Sequence, residues 1–342
     1  FSLLFGIGFA IQIQSAERQG SSFLPRISRR MLGLLVFGLL HILLLWDGDI
    51  LVIYSITGSL LILFRNVSNK ALKRWVVGLL AVPGVLVFIG FVFTLLTRLT
   101  TTGAASMAKS DASLAASFAD TSATEKLLAN TFVQGITDRI HTYLDLSPLL
   151  LSRIPTVLAM FLIGLYLGRT NYFRELDQYG NQLQRVRKYG LGIGFTLMAL
   201  IVAGTKFLPA TSALIAIIED QYLAGPILSL GFTATFALAY LKNPELKIFR
   251  FFGSVGQMAL TNYITQSLVL TFIAYGWGLG YALRLNGFQV LAIVTVLYIA
   301  QVLLSTLWLK NFRYGPLEWA WRCMTYWRVM PFRKTNFTTV EH

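Results

Sequence analysis

The stretch RRMLGLLVFGLLHILLLWDGDILVIYSITG (29–58) decides the fold. Apart from His41, residues 31–46 contain no ionisable side chain, and a second apolar run, 50–64, follows the turn Asp47-Gly48-Asp49. An α-helix rises about 1.5 Å per residue, so runs of this length approach the thickness of the hydrocarbon core of a bilayer. The stretch therefore predicts two membrane helices joined by a tight turn.

The same pattern recurs along the chain, which is 55% hydrophobic and only 13% charged, with a mean hydropathy of +0.64. Further apolar runs lie at 75–97, 149–168, 189–203, 222–241, 255–277 and 288–309. The first fourteen residues, FSLLFGIGFAIQIQ (1–14), are too few for a full crossing and are interpreted as the end of one. We therefore predict an all-α, polytopic membrane helix bundle with about nine crossings, the first partial. A further N-terminal helix before residue 1 would make about ten.

Charged residues are distributed unevenly over the connecting segments. The basic loops, the last of them the tail from Lys310, are 15–30, 65–74, 169–188, 242–252 and 310–342. The segments between them, such as 46–49 and 207–221, carry few cations. Because basic loops stay on the cytoplasmic side, this alternation predicts a bacterial inner-membrane protein with a cytoplasmic C-terminus.

The net charge of +14 is explained by these topological loops, and the chain contains no nucleic-acid-binding motif. We therefore predict no nucleic-acid partner. The single cysteine, Cys323, excludes an intramolecular disulfide and a cysteine-based metal cluster. No metal site is predicted.

We predict one transmembrane domain, 1–342, with two segments outside the bilayer. The first is an external insertion, 99–148, in which LLANTFVQGITDRIHTYL (127–144) repeats an apolar residue every fourth position and predicts an amphipathic helix. Residues 99–124 before it are expected to be a loop with at most one short helix. The insertion is either a lid over an external opening or a spacer.

The second segment, 310–342, is predicted to be a cytoplasmic interfacial helix and tail. Gly315-Pro316 predicts a helix start, because proline is favoured at the first helical position. The tryptophans that follow, such as Trp319 and Trp321, are typical of a membrane interface.

His41 is the main candidate for chemistry. It lies roughly 15 Å along its helix from Met31, where an ionisable side chain is expensive and indicates function. A carboxylate of Asp49 or Asp47 at one ring nitrogen would leave the other nitrogen ready to take a proton, so these three are candidate catalytic residues. Alternatively, His41 is a neutral packing residue, and Asp-Gly-Asp simply forms a tight turn.

Three further sets are candidate binding residues. Gln257, Asn262 and Gln266 lie on a polar stripe of GQMALTNYITQSLV (256–269), which either packs helices together or lines a substrate cavity. Near the outer end of its helix, Arg153 either extends its charge to the interface or holds an anionic group of a substrate, and Lys206 lies at a comparable depth. The arginine pair 29–30 is either a topology determinant or a site for phosphates of lipids or coenzyme A.

Four stretches carry a family resemblance: FSLLFGIGFA (1–10), the opening stretch 29–58, QMALTNYITQS (257–267) and YGPLEWAWR (314–322). In order and spacing they are similar to the YeiB-like bacterial inner-membrane proteins, a domain-of-unknown-function family, number 418. The resemblance spans nearly all of the chain. Its members normally begin with another membrane helix.

The YeiB-like family in turn resembles transmembrane acyltransferases such as lysosomal heparan glucosaminide acetyltransferase. This resemblance implies that His41 matches a catalytic histidine, with acyl-CoA as the cytosolic donor substrate, no permanently bound cofactor, and an acceptor in the envelope. The alternatives are a proton-coupled transporter or channel, and a lipid-interacting protein without turnover. Expected partners are membrane lipids, acyl-CoA and the acceptor, and a homo-oligomer is left open.

Overall fold

The computed structural model describes the whole chain except residues 21, 171, 174, 213, 214, 216, 217, 219, 220, 283 and 335–342, and the side chains of 118, 119, 123, 205 and 206. Throughout the described part, secondary structure is helical and no strand is formed, so the all-α prediction is confirmed. The helices are α1 Ser2–Arg18, α2 Phe23–Leu44, α3 Leu51–Leu61, α4 Asn69–Thr97, α5 Thr101–Ala119, α6 Ser122–Ala129, α7 Phe132–Leu151, α8 Ile154–Arg169, α9 Gly180–Phe207, α10 Ala224–Lys242, α11 Lys247–Gln257, α12 Ala259–Ala274, α13 Gly287–Asn311 and α14 Pro316–Tyr326.

Several of these helices meet the length and apolar content of a membrane crossing. Within the described residues five spans qualify, namely α2, α4, Leu176–Gly204, α10 and α13. The consecutive helices α7 and α8 are bent by 57° at their junction and give a sixth span only if the pair is counted as one. Their outer surfaces carry exposed apolar side chains, for example Phe288 at 85% exposure. The protein is therefore a multi-pass membrane protein. The predicted count of about nine crossings is not confirmed, because apolar helices such as α12 are shorter.

The region expected to be a loop, 99–124, is instead largely helical. Residues Thr101–Ala119 form α5, which is rich in alanine, and the Thr100 side chain accepts a hydrogen bond from the Gly103 N–H at its start. The predicted amphipathic helix is also interrupted, because α6 ends at Ala129. Thr131 and Gln134 exchange hydrogen bonds in a capping box that begins α7.

The chain forms two compact units. The first comprises Phe1–Ser21, Thr57–Thr121 and Pro148–Pro244, and in it α8 packs against α1 and α4. The contact between α1 and α8 depends on glycine: a Cβ on Gly6 would lie 2.0 Å from the Phe161 carbonyl oxygen. A Cβ on Gly164 would lie 2.1 Å from the Leu3 carbonyl oxygen. Small residues thus let the two backbones touch, as in other membrane helix pairs.

The second unit comprises Ser22–Ile56, Ser122–Ser147 and Glu245–His342. In it α14 lies along the start of α2, where the Trp321 indole N–H donates to the Arg30 carbonyl at 2.8 Å. At Gly33, a Cβ would lie 2.8 Å from the same indole, so glycine makes room for it. As Pro316 is at the start of α14, the helix predicted after Gly315 is confirmed. This unit holds the candidate site.

Candidate functional site

The turn after α2 brings one carboxylate back onto the helix. Asp49 precedes α3, and its Oδ1 accepts a hydrogen bond from the Val52 N–H at 2.8 Å, as an N-cap does. Its other oxygen, Oδ2, lies 2.9 Å from Nδ1 of His41. Room for this reversal comes from Gly38, where a Cβ would lie 2.9 Å from Asp49 Oδ1. The local sequence therefore assembles a histidine–aspartate pair.

Both members of the pair are withdrawn from the surface, with His41 2% and Asp49 1% exposed. The contact is short, although neither imidazole nitrogen of His41 reaches the geometry of a hydrogen bond within the described structure. The Asp49 carboxylate thus faces Nδ1 of the imidazole ring. The other ring nitrogen, Nε2, is buried and has no hydrogen-bond partner within the described structure.

Tyr263 of α12 completes the surroundings of the pair. Its hydroxyl donates to Asp49 Oδ2 at a long 3.4 Å, and its ring lies 4.9 Å from the His41 ring, centroid to centroid. The tyrosine therefore contacts both members. It belongs to the polar stretch 256–269, but its role was not predicted, because its partner Asp49 is more than two hundred positions away in the chain.

Arg139 of α7 is a second residue missed from the sequence. Its Nε and Nη2 donate to the Leu43 carbonyl at the end of α2, at 3.1 and 2.8 Å. A cation at a helix C-terminus is stabilised by the unpaired carbonyls and the helix dipole. The side chain is 1% exposed, and Nη1 has no hydrogen-bond partner. The only hint in the sequence was an arginine next to the apolar repeat of the predicted amphipathic helix.

Asp47 has different neighbours from Asp49. It lies in the turn after α2, where burial raises its pKa and the Arg139 charge opposes that rise. The pKa of Tyr275, just after α12, depends on both charges. Burial and the Asp47 carboxylate raise this pKa to about 12, whereas the Arg139 charge lowers it. Asp47 thus interacts electrostatically with Arg139, and it is Asp49, not Asp47, that contacts the imidazole.

The residues of the predicted polar stripe have different surroundings in the structure. The Asn262 side chain donates to Ser305 of α13 at 3.0 Å, and Gln301 of α13 donates to the Asn262 carbonyl at 2.8 Å. These bonds tie α12 to α13, as in helix packing by amides. Gln257 is exposed at the end of α11, and Gln266 is half-buried on α12.

The remaining candidates lie elsewhere. Arg153 is exposed before α8, in the first unit. The guanidinium of Arg29 lies over the Trp327 ring at 5.4 Å, and that of Arg30 over the Trp321 ring at 4.2 Å. The side chain of Lys206 lies outside the described residues. No cluster of three or more metal-ligating side chains occurs in the part of the chain that is described.

Comparison with known proteins defines the family. The chain is 32% identical to the uncharacterized protein YxaH of Bacillus subtilis over 339 residues, which cover 98% of this chain and 80% of that protein. It belongs to the DUF418 family of YeiB-like proteins. The family model, described as a protein of unknown function, matches residues 167–328.

Other family members are similarly related. The uncharacterized protein YeiB of Escherichia coli is 27% identical over 340 residues, which cover 95% of this chain and 80% of YeiB. An uncharacterized 39.9 kDa protein of Bacillus acidopullulyticus is 28% identical over 348 residues, covering 97% of this chain and 80% of the relative. No solved structure matches the chain. The predicted resemblance to YeiB-like proteins is confirmed, and none of these names assigns an activity.

Proposed function

We propose that this DUF418 protein is a transmembrane acyltransferase of the bacterial inner membrane. In this proposal, a cytosolic acyl-CoA supplies the acyl group, the acceptor binds at the opposite side, and the C-terminus is cytoplasmic. The observation that carries the proposal is the buried pair of His41 and Asp49, with Nδ1 and Oδ2 2.9 Å apart. A histidine held by a carboxylate is the arrangement of a general base.

The chemistry needs one proton to move twice. With Asp49 facing Nδ1, His41 Nε2 takes the proton of an acceptor hydroxyl while the acceptor oxygen attacks the thioester carbonyl carbon. The new C–O bond forms, the C–S bond breaks, and the coenzyme A thiolate takes the proton from the imidazolium. Asp49 stabilises that imidazolium and keeps the ring oriented.

The donor would approach from the start of α2. Arg29 and Arg30 lie there, and their guanidinium groups suit phosphate oxygens. From Arg30 to His41, α2 rises roughly 16 Å along its axis. An elongated donor with its phosphates on the arginines could therefore place its thioester towards the histidine. Gln257 and Gln266 remain candidate contacts of a substrate.

A transport function is the second candidate, and the same burial supports it. A histidine, a carboxylate and a tyrosine hydroxyl in one buried cluster can bind and release a proton within a membrane. In that case His41 and Asp49 would couple proton movement to transport of a small molecule. The two candidates differ in whether a covalent product forms.

Proteoliposomes distinguish the two functions. Purified protein is supplied on one side with acetyl-CoA labelled in the acetyl group, and label is followed into envelope extracts or small acceptors on the other side. The acyltransferase proposal predicts labelled product that disappears in His41→Ala protein of unchanged thermal unfolding. Proton flux that depends on His41, without labelled product from any acceptor, would support transport and refute the enzyme.

A further inference from the structure

Two buried N–H groups of the second unit lack an acceptor and pack on the same ring. Arg139 Nη1 and Trp277 Nε1 are both buried and without a hydrogen-bond partner in the described structure. The Arg139 guanidinium carbon lies 5.4 Å from the centroid of the Phe132 ring, and the Trp277 and Phe132 ring centroids are also 5.4 Å apart. Two N–H groups without an acceptor thus belong to side chains that contact the same aromatic ring.

Arg139 is positively charged, so burying its Nη1 without a hydrogen-bond acceptor costs more than burying a neutral N–H group. Arg139 takes part in neither the His41–Asp49 nor the Arg98–Asp111 ion pair. Asp47 and Asp138 act on it only through longer-range attraction. The Leu43 carbonyl and the dipole of α2 stabilise part of this charge, and a negative group at the unpaired Nη1 would add a charge-assisted hydrogen bond. The site therefore favours an anion over a neutral carbonyl.

Both donors are held in place by glycine. On α7, a Cβ at Gly135 would lie 2.9 Å from Arg139 Nη1, so the absence of a side chain lets the guanidinium pack against this turn of the helix. The N–H of Gly276, just before Trp277, donates to the Leu127 carbonyl at 3.0 Å, and a Cβ at Gly276 would lie 1.7 Å from the Leu128 carbonyl oxygen. The segment that carries the indole is thus fixed on the end of α6.

Arg139 is anchored to the helix of His41. Arg139 binds the carbonyl of Leu43, which is two residues after His41 in α2. A group bound at Nη1 would therefore lie near the C-terminal end of α2, where the acceptor is proposed to bind. This contact connects Arg139 to the helix that carries the proposed general base.

We infer that Arg139 and Trp277 form an oxyanion-binding subsite, which holds a carboxylate or phosphate group of the acceptor next to His41. The role in acyl transfer rests on the proposed function, whereas the binding of an oxyanion does not. The oxyanion is carried either by a small soluble acid or by the head group of an anionic lipid.

Binding is measured without any acyl donor, so its outcome is separate from that of the transfer assay. The full chain is placed in nanodiscs of zwitterionic lipid, and thermal unfolding is followed as sodium phosphate or sodium acetate is added, with sodium chloride as the salt control. A ligand that binds only the folded protein raises the unfolding temperature. A second arm replaces part of the lipid by phosphatidylglycerol in the absence of added phosphate or acetate.

We expect a saturable rise of a few degrees in native protein. Arg139→Gln should lose the rise, and Trp277→Phe, which keeps the ring but removes the N–H, should raise the apparent Kd about tenfold. The exposed Arg284→Gln serves as the matched control and should behave as native. A rise with phosphatidylglycerol alone, again lost in Arg139→Gln, would assign the oxyanion to a lipid.

If Arg139→Gln does not fold, Trp277→Phe and Gly135→Ala carry the test. Alanine is tolerated in a helix, and its methyl group would cover Nη1, so Gly135→Ala should weaken binding without loss of the fold. An equal rise in native protein and these variants would overturn the inference, because the anion would then bind elsewhere. No rise with either soluble anion or with anionic lipid would overturn it as well.

Discussion

Asp49 contacts His41 through Oδ2, at 2.9 Å from Nδ1, while its Oδ1 caps α3 by accepting the Val52 N–H. One carboxylate therefore faces the imidazole, where we propose that it orients the ring, and it also caps the turn before α3. The charge matters for the first role, whereas a neutral acceptor suffices for the second. The two roles can be separated by a substitution that removes the charge and retains the oxygen.

Asp49→Asn is that substitution. Its amide oxygen can still accept the Val52 N–H, so the unfolding temperature should change little. Without the carboxylate, the imidazolium is no longer stabilised, and acyl transfer should fall by roughly 10²- to 10⁴-fold. Rates and unfolding curves are measured on the same preparation. Asp47→Asn is the matched control and should keep most of the activity; equal losses in the two variants would argue against a specific role for Asp49.

The contact between α1 and α8 should tolerate no side chain at two of its glycines. Gly6→Ala and Gly164→Ala would each force a Cβ against a carbonyl oxygen, so we expect a loss of roughly 1–3 kcal/mol in the free energy of unfolding. Gly8→Ala, where a Cβ would meet nothing within 4 Å, is the control. Equal thermal stability of all three variants would show that the two backbones do not pack this closely.

The ion pair between Asp111 and Arg98 should continue to stabilise the protein down to unusually low pH. Hydrogen bonds from Arg98, at 2.7 and 3.1 Å, and from Thr211 hold the pKa of Asp111 well below its usual range. Since the pKa is depressed in the folded state, this stabilisation is complete above the unfolded pKa of about 3.9 and is lost as the pH falls through the folded pKa.

Asp111→Asn tests this pH dependence. The variant should unfold at a lower temperature than native protein by a constant margin between pH 7 and pH 5, corresponding to roughly 1 kcal/mol for a partly exposed pair. The margin should shrink only on further acidification below about pH 4. Asp145→Asn, at an exposed position, should show no such margin. A margin that has already vanished at pH 5 would contradict the depressed pKa.

Glu318 should hold α14 to the start of α12. Its Oε1 accepts the Thr261 N–H at 2.9 Å, and its Oε2 accepts the Thr261 hydroxyl at 2.6 Å. Glu318→Ala leaves both donors unsatisfied and should reduce the free energy of unfolding by roughly 1–3 kcal/mol, whereas Glu318→Gln should retain part of it. Thermal unfolding in detergent measures both, with the exposed Glu245→Ala as control. Equal unfolding temperatures of Glu318→Ala and the control would show that Glu318 does not stabilise the contact between α14 and α12.

The fold class and the histidine–aspartate pair could be predicted because both depend on local sequence. Apolar runs of membrane length determine the helices, and Asp49 lies one tight turn beyond the helix of His41. The 99–124 region was not predicted correctly. Its serine and threonine content indicated a loop, whereas alanine-rich propensity and a Thr100 cap produced α5.

Long-range partners could not be predicted in the same way. Arg139 reaches a carbonyl 96 positions away in the chain, and no local pattern identifies which backbone group an arginine will cap. The sequence around Asn262 is equally consistent with helix packing and with ligand binding. Its hydrogen bonds with Ser305 and Gln301 favour helix packing. In both cases tertiary contacts decide the role, and a single sequence does not contain them.

The most direct test of the central claim compares two histidine substitutions. Native protein, His41→Gln and His141→Gln are reconstituted into vesicles and supplied with labelled acetyl-CoA, and His141 serves as the control because it is exposed on α7. Loss of the general base should reduce labelled product by roughly 10²- to 10⁴-fold in His41→Gln, with native unfolding behaviour, and leave His141→Gln active. Transfer by His41→Gln at the native rate would contradict the claim that the buried imidazole carries the reaction.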